Sequence, residues 1–325
     1  MRKPTQNLNA LIEAGQTSFP AGEYKLTKPI TISERTQYDF HNNAIIHCDD
    51  TDWAFYIPAS DVWRVKISGG EFRLNGNTFL WQEQSNDPTG NTISNAIFDN
   101  IWIRWGSRGF SSQGMVGCSF RDVYFDVVEY PIEFHGGRYG SFNANTIDSC
   151  LFYDYKIAIN LLGLTVHKCS NVITNNRFEY GNYIFSGEHH IASLNFLCNH
   201  SEHTGGLILF GNGRNTQLNI RNNRFLSPTK GDAIVDIQTL FAGGCINANF
   251  ISVTDKIFAV KSCHTSTGRL YCVHNTLQGM PKNNPATYPN YFNFFCNSGS
   301  GEMFVTAAPD SGFISGDESS LREEL

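Results

Sequence analysis

One short phrase recurs along this chain and limits what it can fold into. An apolar residue, one or two polar ones and an asparagine or a look-alike are followed by a second apolar run. Between Ala96 and Gly299 it reads IFDNIWI, SFRDVYF, TIDSCLF, ITNNRF, FLCNHS, IRNNRF, INANFI, CVHNTL and FFCNSG. The slot is held by Asn100, Asp122, Ser149, Asn176, Asn199, Asn223, Asn249, Asn275 and Asn297, at successive spacings of 22, 27, 27, 23, 24, 26, 26 and 22 residues. A period in the twenties, with short β-type runs and no helix-length segment between them, is the signature of a solenoid of strands. Asparagine suits the slot because it tolerates the left-handed conformation of a tight bend. Stacked coils also let neighbouring amides hydrogen-bond in a ladder. A β-sandwich with turns every ~8–12 residues explains the strands but not the phase-locked asparagine.

Composition narrows the function classes. The 325 residues carry a net charge of −6 and only 17% charged residues, with no basic patch, which argues against a nucleic-acid partner. No apolar run is long enough to span a membrane, and MRKPTQNLNA lacks the apolar core of a secretion signal. The nine cysteines are odd in number, lie mostly in strand-like runs and lack zinc-site spacing, so they read as reduced core residues of a protein made in a cytosol. No metal or other cofactor is expected.

The segment NLNALIEAGQTSFPAGEYKLTKPITI, from Asn7 to Ile32, predicts a short helix through Leu8, Leu11 and Ile12 that ends at Gly15, then a strand and tight turn at FPAGEY. A helix there would cover the open end of a solenoid. Together with the Asn-marked coils, this start resembles the pectin-lyase-like right-handed parallel β-helices. Within that superfamily it is most similar to the polysaccharide-processing β-helices of bacteriophage tailspikes. The resemblance implies an all-β fold, a right-handed single-stranded parallel β-helix with three short strands per coil. The expected layout is a cap over residues 1–35, a helix of about eleven coils over 36–306 (counting slots from Asn43 through Gly70 to Asn297) and an acidic tail over 307–325. Longer loops are expected at Gln84–Asn95, Gly136–Asn145 and Met280–Asn290.

First-strand candidates are WAFYI, TFLWQEQ, GFSSQ, PIEFH, IAINL, YIFSG, LILFG, AIVDI and IFAVK. Alternation turns Ile132 and Phe134 inward with Glu133 and His135 outward, and Ile157 and Ile159 inward with Asn160 outward. Outward residues of successive coils repeat about every 4.8 Å, which suits a linear glycan. Just before these strands stand Glu129, Asp154, Glu179 and Glu202. Glu129 and Asp154 each lie three residues ahead of Ile132 and Ile157, and Tyr130 and Tyr155 two ahead.

Glycoside hydrolysis needs two carboxyl groups about 5–5.5 Å apart for retention or about 6.5–9.5 Å apart for inversion. Asp154, Glu179, Glu202 and Glu133 are the candidate catalytic carboxylates. Glu129, Tyr130, His135, Arg138, Tyr155, Tyr180 and His203 are the candidate substrate contacts. Elimination would instead use a base such as His135 or the Tyr155–Lys156 pair, with Arg138 beside a uronate carboxylate. The polygalacturonase tripeptides NTD and GHG are absent, and no pectate-lyase-style calcium cluster is visible. The pairs His189–His190 and His200-x-Glu202-His203 read as turn residues, lacking a third spaced ligand group. Gly211-Asn-Gly213 resembles half a phosphate loop but has no helix after it. Trp81, Trp102, Trp105, Tyr139 and Tyr180 include candidate sugar platforms, with Trp102 expected in the core.

The resulting expectation is a tailspike-type protein that binds and cleaves a bacterial surface polysaccharide by paired carboxylates. A polysaccharide lyase and a non-catalytic adhesive tail β-helix are the alternatives. A homotrimer, contacts with other phage tail proteins and a place in the virion tail are implied by the resemblance.

Overall fold

The structure, a computed structural model, describes residues 5–85, 91–135, 141–162, 168–187, 191–209, 217–226, 235–240 and 244–252, and beyond these the strands within 258–307. The loops expected around 86–90, 136–140 and 280–290, and the tail from 308, lie outside the described residues. So do His189, His190, Tyr139 and the Gly211–Gly213 stretch. The chain forms two compact units, Met1–His167 and Lys168–Leu325. Each is a right-handed stack of parallel β-coils, as expected. Among the described residues, no helix is long and apolar enough to cross a membrane.

The first unit opens on the helix Leu8–Glu13, capped by Asn7, whose side chain accepts from Ala10 N. Gly15, at φ +85°, ends it, with Gln16 N donating to Leu11 O at 3.0 Å. The helix is locked down by Asn9, buried at 6% exposure. Its side chain accepts from Thr27 N at 2.9 Å and donates to Lys28 O at 2.9 Å. In FPAGEY, Tyr24 is fully buried and its hydroxyl donates to Pro20 O at 2.7 Å.

Each later coil begins with a two-residue strand, Val62–Trp63, Ile93–Ser94, Met115–Val116 or Phe142–Asn143. A three-residue strand follows, such as Ile97–Asp99, Ser119–Arg121 or Thr146–Asp148. Then comes an eleven-residue strand: Trp102–Ser112, Tyr124–Phe134 and Leu151–Leu161. The turn expected between third and first strands is therefore a single bent residue inside one long strand. Trp105, Val127 and Asp154 occupy that bend at φ 57°, 55° and 52°. Inside, Phe98, Phe110 and Phe120 pack with ring centroids 4.5–5.1 Å apart, each buried phenyl contributing about 1.5–3 kcal/mol.

In the second unit the strands Val172–Thr174, Asn195–Leu197, Leu218–Arg221 and Gly244–Asn247 stack in register. The long strand is Arg177–Gly187. Complete turns number about seven rather than the expected eleven. Among the described residues the short strand that closes a coil is present in six of them, the last two being Lys168–Cys169 and Ile191–Ala192. Counting asparagine slots counts bends rather than complete turns.

The slot itself divides into two positions. In the first unit Asn100, Asp122 and Ser149 are the left-handed residues, at φ 56°, 52° and 56°. The next residues, Ile101, Val123 and Cys150, turn inward and are buried. In the second unit the left-handed residues are Asn175, Cys198, Asn222 and Ala248. There Asn176, Asn199, Asn223 and Asn249 take the inward place at 1–3% exposure. These four form the expected ladder. Asn176 N, Asn199 N and Asn223 N each donate to the Oδ1 of the next, at 2.9, 2.8 and 2.9 Å. The ladder side chains also satisfy carbonyls, Asn199 Nδ2 donating to Ile173 O and Asn223 Nδ2 to Phe196 O, both at 2.9 Å. Cys48, Cys118 and Cys150 are buried as expected, whereas Cys198 is exposed because it stands on a bend.

Candidate active site on the first unit

The outer face of the first unit carries one row of side chains set by strand register. Tyr56 pairs with Trp81, Trp81 with Ser111, Ser111 with Glu133, and Glu133 with Asn160. Ile132 and Phe134 are fully buried, so alternation turns Glu133 outward, as the sequence predicts. Glu133 is nevertheless only 5% exposed, because its neighbours close over it. Arg108 Nε donates to its Oε1 at 2.7 Å, and Ser111 Oγ donates to the same oxygen at 3.4 Å.

His135 sits half-buried beside this carboxylate, with Nδ1 3.1 Å from Ser111 Oγ. Its ring reaches back over the small Ser111 to stack on Trp81, 5.1 Å between centroids and 16° between planes. The stack continues from Trp81 to Trp53 at 6.1 Å and 11°, and from Trp53 to Tyr56 at 5.2 Å and 18°. These four near-parallel rings make one continuous stack, Trp53 and Tyr56 sharing a strand and Trp81 and His135 standing on later coils. Tyr56 donates to Glu83 at 2.5 Å. His135 Nε2 is buried and has no hydrogen-bond partner among the described residues, and the same is true of Oδ1 of Asn160 in the same row. Burial pulls the His135 pKa from 6.5 down to about 4, against the pull of Glu133 and with the help of Arg108. The imidazole is therefore neutral at pH 7.

Tyr130 lies next to this group, with Arg108 and Lys156 each 5.8 Å from its ring centroid. Glu129 pairs with Lys156 at 2.9 Å, both about half exposed, so solvent screens the ion pair. The expected alignment of Glu129 with Asp154 is corrected here. Ile132 registers with Ile159, not Ile157, so Glu129 lies opposite Lys156 and Asp154 stands on the exposed bend. Ile157 is only half-buried, and Ala158 takes the interior place. Tyr155, expected to touch substrate, is 5% exposed and packs edge-on against Phe152 at 6.4 Å, inside the core. Arg138 lies outside the described residues.

A second outward cluster on this unit was not foreseen. Arg104 donates to Asp126 at 2.7 Å and to Glu71 at 3.2 Å, and its guanidinium lies 4.6 Å from the ring centroids of both Trp102 and Trp105. Trp102, expected in the core, is 36% exposed. The left-handed Asn100 turns Ile101 inward, and plain alternation from there puts Trp102 outside and Ile103 inside.

In the second unit Glu179 and Glu202 are register partners on adjacent strands, which sets their backbones about 4.8 Å apart. Arg177 pairs with Glu179, and His200 and His203 flank Glu202 at 3.8 and 3.6 Å. Tyr180 and His203 stand on successive bends and stack at 5.2 Å. The four predicted residues of this unit thus lie together. Among the described residues no group of three or more His, Cys, Asp or Glu is arranged to hold a metal ion.

Sequence reading missed Arg108 and Ser111. Counting outward positions in GFSSQ against PIEFH would have placed Ser111 beside Glu133, but Arg108 looks like an ordinary charge before a strand.

No family model matches the chain, and no curated protein matches it. Solved structures do. The A-module of the mannuronan C-5 epimerase AlgE4 of Azotobacter vinelandii aligns over 95% of this chain and 94% of its own, at 13% identity and a TM-score of 0.59. The surface adhesin PfbA of Streptococcus pneumoniae aligns in two structures over 96% and 92% of this chain and 91% and 94% of its own. Their identities are 12% and 11%, with TM-scores of 0.44 and 0.41. The likeness to the epimerase module is one of fold, and that fold is the right-handed parallel β-helix.

Proposed function

We propose that the chain is a polysaccharide-binding β-helix whose first unit acts on an acidic glycan by removing the proton next to a uronate carboxylate. The observation that carries this reading is His135: a neutral imidazole whose buried Nε2 has no partner among the described residues, stacked at the end of the Trp81–Trp53–Tyr56 series of rings. The aromatic stack suits sugar rings, and the roughly 4.8 Å coil repeat suits a linear chain laid across successive coils. In this reading Nε2 takes the carbon-bound hydrogen as a proton. The electron pair left behind spreads into the sugar's carboxylate. Expulsion of the neighbouring glycosidic oxygen, which takes up a proton as it leaves, then gives an unsaturated end, whereas delivery of a proton from solvent to the opposite face of the same carbon gives the inverted centre. Arg108 spends Nε on Glu133 and keeps the rest of its fork for the sugar carboxylate, with Lys156 and Tyr130 beside it. The similarly folded epimerase module is named for an activity at C-5 of mannuronan, which is chemistry of this class.

Glu133 does not suit the acid of a hydrolase, because its Oε1 is already occupied accepting from Arg108 and Ser111. A hydrolytic reading rests instead on Glu179 and Glu202, favoured by their register on adjacent strands. The virion-tail setting, the trimer and the bacterial surface polysaccharide follow from the sequence resemblance and belong to the same proposal.

The test is incubation with polyuronates and acidic capsular polysaccharides in deuterium oxide. Products are followed by ultraviolet absorbance, deuterium uptake and reducing ends. Unsaturated ends or deuterium uptake, both abolished in His135→Ala, are expected. Reducing ends without either signal, lost in Glu179→Gln or Glu202→Gln, would move the assignment to hydrolysis. Tight binding with no chemical change would make the protein an adhesin.

A further inference from the structure

The reading above needs His135 Nε2 to be a proton acceptor, and neutral histidine carries its one ring proton on either nitrogen. Three contacts decide which. Glu133 faces His135 from its own strand, and Arg108 and Ser111 face it from the preceding one. Arg108 can only donate, and it donates to Glu133 Oε1, so the oxygen that faces Ser111 is an acceptor. Ser111 has a single hydrogen to give and lies within reach of both Glu133 Oε1 at 3.4 Å and His135 Nδ1 at 3.1 Å. Giving it to Nδ1 would leave the hydroxyl oxygen facing a carboxylate oxygen with no hydrogen between them. Giving it to Glu133 frees the hydroxyl oxygen to accept from a protonated Nδ1, and every contact is then satisfied.

We propose that Ser111 is a positioning residue that fixes the tautomer of His135, holding the proton on Nδ1 and leaving Nε2 a bare acceptor. The polarity runs one way, from His135 Nδ1–H to Ser111 to Glu133, with Arg108 holding the far end. Nothing among the described residues bonds Nε2, so its lone pair is left unspent. Ser111 is also small enough to let the ring pass over it onto Trp81, and so sets orientation as well as tautomer.

The inference rests on the proposed role of His135 for its use, but its test does not. The full chain is labelled with nitrogen-15, and long-range proton–nitrogen correlations are recorded near pH 7, with His135→Gln identifying the signals. The wild type is expected to show a protonated Nδ1 and an unprotonated Nε2. Ser111→Ala is expected to shift the proton toward Nε2, and Ser111→Thr, which keeps the hydroxyl, to retain the wild-type pattern. A wild-type spectrum with the proton on Nε2 overturns the proposal whether or not any variant folds. An unchanged Nδ1–H pattern in Ser111→Ala also overturns it. Correct tautomers with no glycan turnover would sink the functional reading and leave this one standing.

Discussion

Asn199 donates from both its backbone nitrogen and its side-chain nitrogen to one oxygen, Oδ1 of Asn223, at 2.8 and 3.1 Å. Both residues are buried, so neither donor has water to fall back on. Asn223→Ala removes that acceptor and is expected to cost about 2–5 kcal/mol, the range for two donors left unsatisfied. Asn219→Ala, which deletes one part-buried bond to Asn195, should cost under about 1 kcal/mol. Urea unfolding of the two variants checks the contrast, and equal midpoints would mean that the ladder does not stabilise the second unit.

Val127 holds a left-handed backbone, φ 55°, with 41% of its surface exposed. The conformation costs a β-branched residue about 1–2 kcal/mol, and little packing offsets it. Val127→Asn should therefore raise the melting temperature, with a gain of about 1 kcal/mol. A lower melting temperature would show that the valine side chain contributes more through contacts than its backbone costs.

The Arg108–Glu133 pair differs from the exposed Glu129–Lys156 pair in burial of the acid: the Glu133 side chain is 7% exposed and that of Glu129 49%. Arg108→Met leaves a buried carboxylate without its partner and should cost about 3 kcal/mol, near the lower end for breaking a buried pair. Lys156→Met, which removes a solvent-screened partner, should cost clearly less. In a double-mutant cycle, Arg108→Met with Glu133→Gln should cost clearly less than the sum of the two single changes. Additive values would mean that the two side chains do not stabilise one another.

His135 titrates near 4 when folded and near 6.5 when unfolded, because burial disfavours its charged form. Between those values the unfolded chain binds more protons. The stability that this residue contributes is thus fully present above about pH 6.5 and lost as pH falls toward 4, at no more than about 1.4 kcal/mol per pH unit. His135→Gln should show a shallower loss across that window in unfolding measurements at stepped pH. Identical slopes would place the His135 pKa near its ordinary value.

The sequence by itself determined the coil. A period of 22 to 27 residues, alternation along short strands and the FPAGEY start dictate stacked parallel strands and a capped first coil. These are local signals: strand propensity, a bend residue that tolerates positive φ, and a side-chain period of two. Phase was not local. One extra residue at a bend moves every later side chain to the other face. Trp102 therefore came out exposed, Tyr155 went inside, Ile157 gave up its interior place to Ala158, and the asparagine slot split between bend and ladder. Only stacking settles phase, because the register of Ile132 on Ile159 is a contact between residues 27 apart. The site depended on stacking even more. Glu133 and His135 were legible as outward neighbours, but Arg108, Ser111 and Trp81 reach them from other coils. A lone outward glutamate in sequence became, in three dimensions, a buried acceptor that sets the chemistry of the histidine beside it.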